Sequence, residues 1–182
     1  ENASDALPLN QIFKSFPVGP TGEQQVAFFR RVYAEIPAFS AELERNNVTS
    51  IFLATGYPLS FFSVRAMTNP NDIKGGMWRS ASFWHRDFLQ NAGAKPVTMP
   101  WGEQTYNALK TGAIDGMILN VDSGYDLKAY QFAPHVLLSN DLWLGHPYIL
   151  AMNKDTWNTL SAEDQGAIAH AAKTAWQSLG GV

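Results

Sequence analysis

The chain has 182 residues, a formal net charge of −3 and no cysteine. That length allows one large or two small domains, and 46% hydrophobic residues supply a core with ease. Disulfides, thiolate metal sites and cysteine nucleophiles are excluded, and a mildly acidic chain without a Lys/Arg run has no attraction for nucleic acid or an anionic membrane.

Residues 1–22 contain Pro8, Pro17 and Pro20 and read as a loop-rich opening with a short apolar piece at 9–13. The first residue is Glu1 and no charged-then-apolar leader precedes it, so the chain is expected to be processed or an excerpt. No apolar run approaches the roughly 18 residues that span a bilayer. Residues 23–46 follow helical spacing, with Pro37 dividing two helices. A β-rich run at 48–54 reads as a strand. Strands and helices then alternate: strand 76–80, helix 82–92, strand 95–99, helix 102–110, strand 113–119, helix 122–132, strands 136–142 and 147–153. In helix 82–92 the expected buried side is Phe83, Trp84, Phe88 and Leu89, with Ser80 or Ser82 as cap. A final helix at 161–179 opens on Ser161 with Asp164 three residues on, and Gly180-Gly181 ends it. This order predicts an α/β fold with a mostly parallel sheet and crossover helices.

The chemistry on offer is limited. His85, His135, His146 and His170 show no ligand spacing such as HExxH, and His85 and His170 are expected at the surface or its boundary. There is no Gly-x-Ser-x-Gly elbow and no phosphate loop; Gly75-Gly76 reads as a turn. Asn2-Ala3-Ser4 and Asn47-Val48-Thr49 match a glycosylation tripeptide that often arises by chance. Asp115 and Asp122, seven residues apart along an extended stretch, would stand about 20 Å apart and share no proton. Asp115 reads as a turn residue; Asp122 reads as a helix N-cap or a ligand. An acid/base pair of Glu103 with His85 or His146 has no support in the spacing, and no catalytic residue is expected.

Arg79 ends the strand Gly76-Met77-Trp78-Arg79, directly before a helix. In a parallel α/β sheet the carboxyl ends of the strands face the ligand crevice. A guanidinium there keeps its charge and offers a carboxylate two parallel hydrogen bonds. A ligand clamp and a structural ion pair both fit this position. Tyr57, Phe83, Trp101, Trp143 and Tyr148 fall at strand ends or in adjacent loops, where aromatic side chains either wall a pocket or fill a core.

Four stretches occur in one order: Asn69-Pro70-Asn71-Asp72-Ile73-Lys74-Gly75-Gly76-Met77-Trp78-Arg79; Gly93-Ala94-Lys95-Pro96-Val97-Thr98-Met99-Pro100-Trp101; Glu103 with Tyr106-Asn107-Ala108-Leu109-Lys110-Thr111-Gly112-Ala113-Ile114-Asp115-Gly116; and Met152-Asn153-Lys154-Asp155-Thr156-Trp157-Asn158-Thr159-Leu160-Ser161. Together they resemble the DctP-type solute-binding receptors of TRAP (tripartite ATP-independent periplasmic) transporters, over about residues 63–177. The resemblance implies a periplasmic-binding-protein-like two-lobed fold, truncated here at both ends. Residues 1–69 would be part of the first lobe and the crossover, 70–145 the second lobe, and 146–182 the return to the first lobe.

The resemblance further implies a periplasmic receptor that captures a small organic carboxylate, closes around it and is read by the membrane subunits of the transporter, with no cofactor and no metal. Arg79 matches the family arginine that clamps the ligand carboxylate. Asn120 matches a polar ligand group within a one-residue shift, since the run 116–124 departs from the family pattern. Phe83, Trp101, Trp143 and Tyr57 would supply the packing. Leu59 stands where some members carry a second ligand arginine, so a double-arginine site is not implied, and Arg65 reads as structural. Truncation would expose a sheet edge and favour self-association. The alternative is a ligand-sensing effector domain of a regulator, because the same fold serves that purpose.

Overall fold

The computed structural model describes residues 3, 5–15, 19–20, 23–138 and 147–179. In chain order the elements are α1 (Ile12–Ser15), α2 (Glu23–Glu35), α3 (Pro37–Arg45), β1 (Val48–Thr55), β2 (Leu59–Ser63), β3 (Met77–Ser80), α4 (Phe83–Asn91), β4 (Lys95–Thr98), α5 (Glu103–Lys110), β5 (Gly116–Asn120), α6 (Val121–Asp126), β6 (His135–Leu138), β7 (Pro147–Asn153), α7 (Lys154–Thr159) and α8 (Ala162–Leu179). Short 3₁₀ turns lie at Leu9–Gln11, Pro70–Ile73 and Ala129–Gln131. The chain divides into two compact units. One gathers described residues of Asn2–Phe13, Val18–Gly56 and Gly145–Val182; the other is built mainly on those of Tyr57–Leu144.

In the first unit β1 pairs antiparallel with β7, from Val48 opposite Asn153 to Thr55 opposite Pro147. Pro37 has the preset φ of a first helical residue, and it separates α2 from α3 as its chemistry requires. An aromatic core follows: the Phe13 ring lies 4.8 Å from Phe29 and stacks 5.4 Å from Phe39, with Leu53 of β1 in the same cluster. Phe52 of β1 meets Trp176 of α8 at 5.7 Å, and the Arg30 guanidinium lies 4.2 Å over the Trp176 ring. Ser161 caps α8 as its spacing predicts: its Oγ accepts from the Asp164 N–H at 3.0 Å.

A buried carboxylate ties the N-terminal segment to α3. Glu42 accepts from the Leu9 and Asn10 N–H groups, both at 2.9 Å, and from Asn10 Nδ2 at 2.6 Å. Burial alone would raise its pKa. The bonds from the Asn10 side chain and from the Leu9 and Asn10 backbone outweigh that and hold the carboxyl below its ordinary range.

The second unit holds a five-stranded sheet in the order β4-β3-β5-β2-β6. β3 pairs in parallel with β4 and β5, and β2 runs antiparallel to both β5 and β6. Four strands therefore point one way and β2 runs against them. On one face Trp78, Phe61 and Ile118 pack with Leu89 of α4; on the other Met117, Leu119 and Phe62 pack with Ala108 and Leu109 of α5 and with Leu127. Asp115 fastens the start of β3 to β5: its N–H donates to Met77 O at 2.7 Å, and Oδ2 accepts from the Met77 N–H at 2.7 Å. The turn before β3 is held by Asp72, which accepts from the Thr68 and Asn69 N–H groups at 2.7 and 3.1 Å. Those two bonds lower its pKa.

Several sequence expectations need correction. The sheet takes in Leu59–Ser63, a strand absent from the reading of the sequence; all five of its residues are buried, so no alternation marks it. In α4 the buried residues are His85 and Leu89, while Phe83 and Phe88 are exposed, because positions i and i+4 share one face. His85 is thus core rather than surface. The helix expected over 122–132 stops at Asp126 and resumes as a 3₁₀ turn, with Lys128 between them at φ 56°. Its N-cap position is Asn120, so Asp122 falls in the first turn and caps nothing. The terminal Gly180-Gly181 and the strand extension over 139–142 lie outside the described residues.

The packing makes three substitutions informative. Glu42→Ala leaves buried donors unmet and should lower unfolding free energy by at least about 2 kcal/mol, read by urea denaturation. A lowered carboxyl pKa adds stability that is present above the ordinary Glu value of 4.5 and is lost as pH falls through the folded value. Glu42→Gln should therefore flatten the decline in stability that sets in as pH falls below the ordinary Glu value of 4.5; equal slopes in both proteins would contradict this account. At Gly116 an added Cβ would lie 2.5 Å from Phe62 O and 2.6 Å from the Trp78 ring. Gly116→Ala should cost about 1–3 kcal/mol in the same assay.

Candidate functional site

The parallel strands β3, β4 and β5 end at Ser80, Thr98 and Asn120, and β2 begins at Leu59 opposite Asn120. All of these mark one edge of the sheet. From β3 the chain moves outward through α4 to β4; from β5 it leaves in the other direction through α6. α4 covers the Trp78 face, whereas Val121 and Leu127, at the two ends of α6, pack on the Met117 face. The gap between the carboxyl ends of β3 and β5 is therefore a topological switch point, the place where open α/β sheets receive ligands.

Arg79 lies at this point. Its register partners are Val97 on β4 and Met117 on β5, and residues paired across strands share a face. The Arg79 side chain thus emerges on the face covered by α5, opposite its neighbour Trp78. It is 2% exposed, and its Nε donates to Met99 O at 2.9 Å, just beyond the end of β4. That bond fixes one edge of the guanidinium against the strand ends.

The other expected residues gather unevenly around the same edge. Asn120 is buried, and its Nδ2 donates to Tyr57 O, so its amide nitrogen holds the entry to β2. The Tyr57 side chain is about half exposed. Trp101, in the loop after β4, is 54% exposed and donates from Nε1 to Ser123 O at 3.2 Å, which lays the indole on the first turn of α6. Phe83 opens α4, 41% exposed, with its ring 4.6 Å from that of Trp84. Tyr57, Phe83 and Trp101 are therefore surface residues and not core. Trp143 and His146 lie outside the described residues. Tyr148 is in the other unit, on β7. Arg65 sits at the far end of the sheet, 3.7 Å from Asp115 Oδ1 with its side chain 82% exposed, where an ion pair contributes little.

The sequence reading missed a polar cluster between β3 and α4. Ser80 Oγ lies 3.2 Å from His85 Nδ1 and accepts from the Ser82 N–H at 3.1 Å; all three residues are buried. A buried His needs a local partner, and the spacing Ser80-x-Ser82-x-x-His85 across a strand-to-helix turn was the available signal. Among the described residues, Trp84 Nε1 and Asp122 Oδ1 are buried without a hydrogen-bond partner. No group of three or more His, Cys, Asp or Glu among them is placed to hold a metal ion, and no described helix is long and apolar enough to cross a membrane.

Residues 24–179 match the family described as bacterial extracellular solute-binding protein, family 7. The chain is 30% identical over 125 residues to the C4-dicarboxylate-binding periplasmic protein DctP of Rhodobacter capsulatus, an alignment covering 68% of this chain and 36% of that protein. Among solved structures, the ectoine-binding protein of the TeaABC TRAP transporter of Halomonas elongata superposes with a TM-score of 0.81 at 23% identity, over 96% of this chain and 57% of that one. A TRAP solute-binding protein of Chromohalobacter salexigens with bound D-glucuronate superposes at 0.82 and 23% identity, over 94% and 56%. The chain thus spans well under two thirds of the length of these proteins, and the likeness in structure establishes the α/β periplasmic-binding-protein fold. With most of its length matched by the family, the chain belongs to the bacterial extracellular solute-binding proteins of family 7, the DctP family, which are binding receptors and not enzymes.

Proposed function

We propose that the protein of which this chain forms part is a periplasmic receptor that captures a small organic carboxylate at the switch point and delivers it to the membrane subunits of a TRAP transporter. The observation that carries this reading is the burial of Arg79 at the carboxyl end of β3, with Nε anchored on Met99 O. A guanidinium fixed along one edge is preorganised to receive a carboxylate, and little rotamer entropy remains to be lost on binding. Relatives support the ligand class: C4-dicarboxylates, ectoine and D-glucuronate are what the proteins compared above bind by name, and each carries a carboxylate. The exposed aromatics Tyr57, Phe83 and Trp101 supply surface for the ligand's body, and Asn120 a polar contact beside it. Trp143 is a further aromatic candidate from the sequence. Family membership favours transport over the effector-domain alternative.

The test is calorimetric titration with succinate, D-glucuronate, pyroglutamate and ectoine. Arg79→Ala should abolish binding of whichever probe the protein takes. Arg79→Lys, which keeps the charge and loses the fork, should weaken it by about 10- to 100-fold, the equivalent of roughly 1.5–3 kcal/mol for hydrogen bonds to a charged group. Circular dichroism checks that both variants remain folded. Unchanged affinity in a folded Arg79→Ala protein would reject the clamp.

A further inference from the structure

The loop between β4 and α5 is fastened at successive positions to three different elements. Met99 O accepts from Arg79 Nε of β3 at 2.9 Å, Pro100 O accepts from Thr105 Oγ1 of α5 at 2.7 Å, and Trp101 Nε1 donates to Ser123 O of α6 at 3.2 Å. Gly102 then leads into α5 at φ 133°, a backbone that strains any residue with a side chain. Thr105 is wholly buried. It stands on the helix face of Ala108 and Leu109, where a valine would fill the same space with no hydroxyl to satisfy. That face packs on the Met117 side of the sheet, the side on which Arg79 emerges.

We propose that Thr105 is a positioning residue for Arg79, acting through the successive carbonyls of Met99 and Pro100; its consequence for binding rests on the clamp reading above. Proline couples the two carbonyls. Planar peptide groups leave only φ and ψ of Pro100 between them, and the ring locks φ at about −65°. A single soft torsion therefore separates the carbonyl that Thr105 holds from the carbonyl that holds Arg79 Nε. A binding group serves its purpose when neighbours that are themselves fixed keep it within about 0.5 Å of its productive place. Thr105 does this from behind the loop, with no contact to the ligand required.

The test follows solvent exchange of the Arg79 Nε–H by nitrogen-15 NMR in the full chain without ligand, the signal being assigned by its loss in Arg79→Lys. Thr105→Val keeps the volume and removes the hydroxyl; it should speed that exchange at least about tenfold while the backbone amides of β5 keep their rates. Thr105→Ser restores the hydroxyl and should stay within about threefold of the unaltered protein. Pro100→Gly frees φ at an exposed position, leaves the core alone and should act like Thr105→Val; it decides the matter if Thr105→Val does not fold. Unchanged Nε–H exchange in either folded variant, equal effects of valine and serine, or a matching acceleration in β5 overturns the inference. Calorimetry then uses whichever of succinate, D-glucuronate, pyroglutamate and ectoine the unaltered protein takes, and Thr105→Val should weaken it about tenfold, or about 1.4 kcal/mol. Unchanged affinity there, alongside lost binding in Arg79→Ala, overturns the inference and leaves the clamp standing. Unchanged affinity in both rejects the clamp itself, and the exchange measurement, which needs no ligand, still decides whether Thr105 holds the arginine.

Discussion

Strand β3 is only four residues long, and period-two alternation governs what each of them can do. Trp78 turns into the core under α4, where Phe61, Ile73 and Leu89 surround it. Arg79 must then turn to the other face, and the parallel pairing with β4 and β5 leaves it at the strand's exit with a carbonyl, Met99 O, in reach. A slip of one residue would exchange the two side chains, burying a charge among apolar rings and taking the indole away from Phe61 and Leu89. The large aromatic therefore does more than fill space. It holds the register that delivers the cation to the carboxyl edge.

Much of the scaffold was readable from the sequence because local chemistry decides it. Pro37 parts two helices, Ser161 and Asp164 open α8, and alternation of apolar runs with helical spacing gives β3, α4, β4, α5 and β5 in order. The misses have physical causes. β2 is buried on both faces, and it follows β1 after a gap of three residues, so neither alternation nor a long turn signal sets it apart. The expected buried side of α4 counted Phe83 and Phe88 as core, but helical geometry rewards the Leu89 face, and His85 shares it because Ser80 across the turn supplies a polar partner. The break at Lys128 rests on a left-handed backbone in a residue that seldom adopts it.

Legibility at the site follows the same division. Arg79 stands out in the sequence because an arginine that closes an apolar strand is conspicuous, and its place at the strand end needs only local reasoning. The unmet atoms of Trp84 and Asp122 are not legible, although Asp122 reads as a helix cap or a ligand, since an unmet polar atom is defined by everything around it and depends on contacts far apart in the chain. The aromatics fall between these cases. Their number suggested a pocket, but only the tertiary arrangement separates surface residues such as Trp101 from core residues such as Trp78. Several residues that carry the resemblance to the DctP receptors are scaffold: Asp72 braces a turn, Gly112 allows α5 to end at φ 73°, and Asp115 joins two strands.

The paired bonds between Asp115 and Met77 lie at the edge of the sheet remote from Arg79. Bolted at the rear, β3 and β5 keep their alignment without help from the side chains at the front. Side chains at the front can consequently be exchanged one at a time while this rear fastening stays untouched.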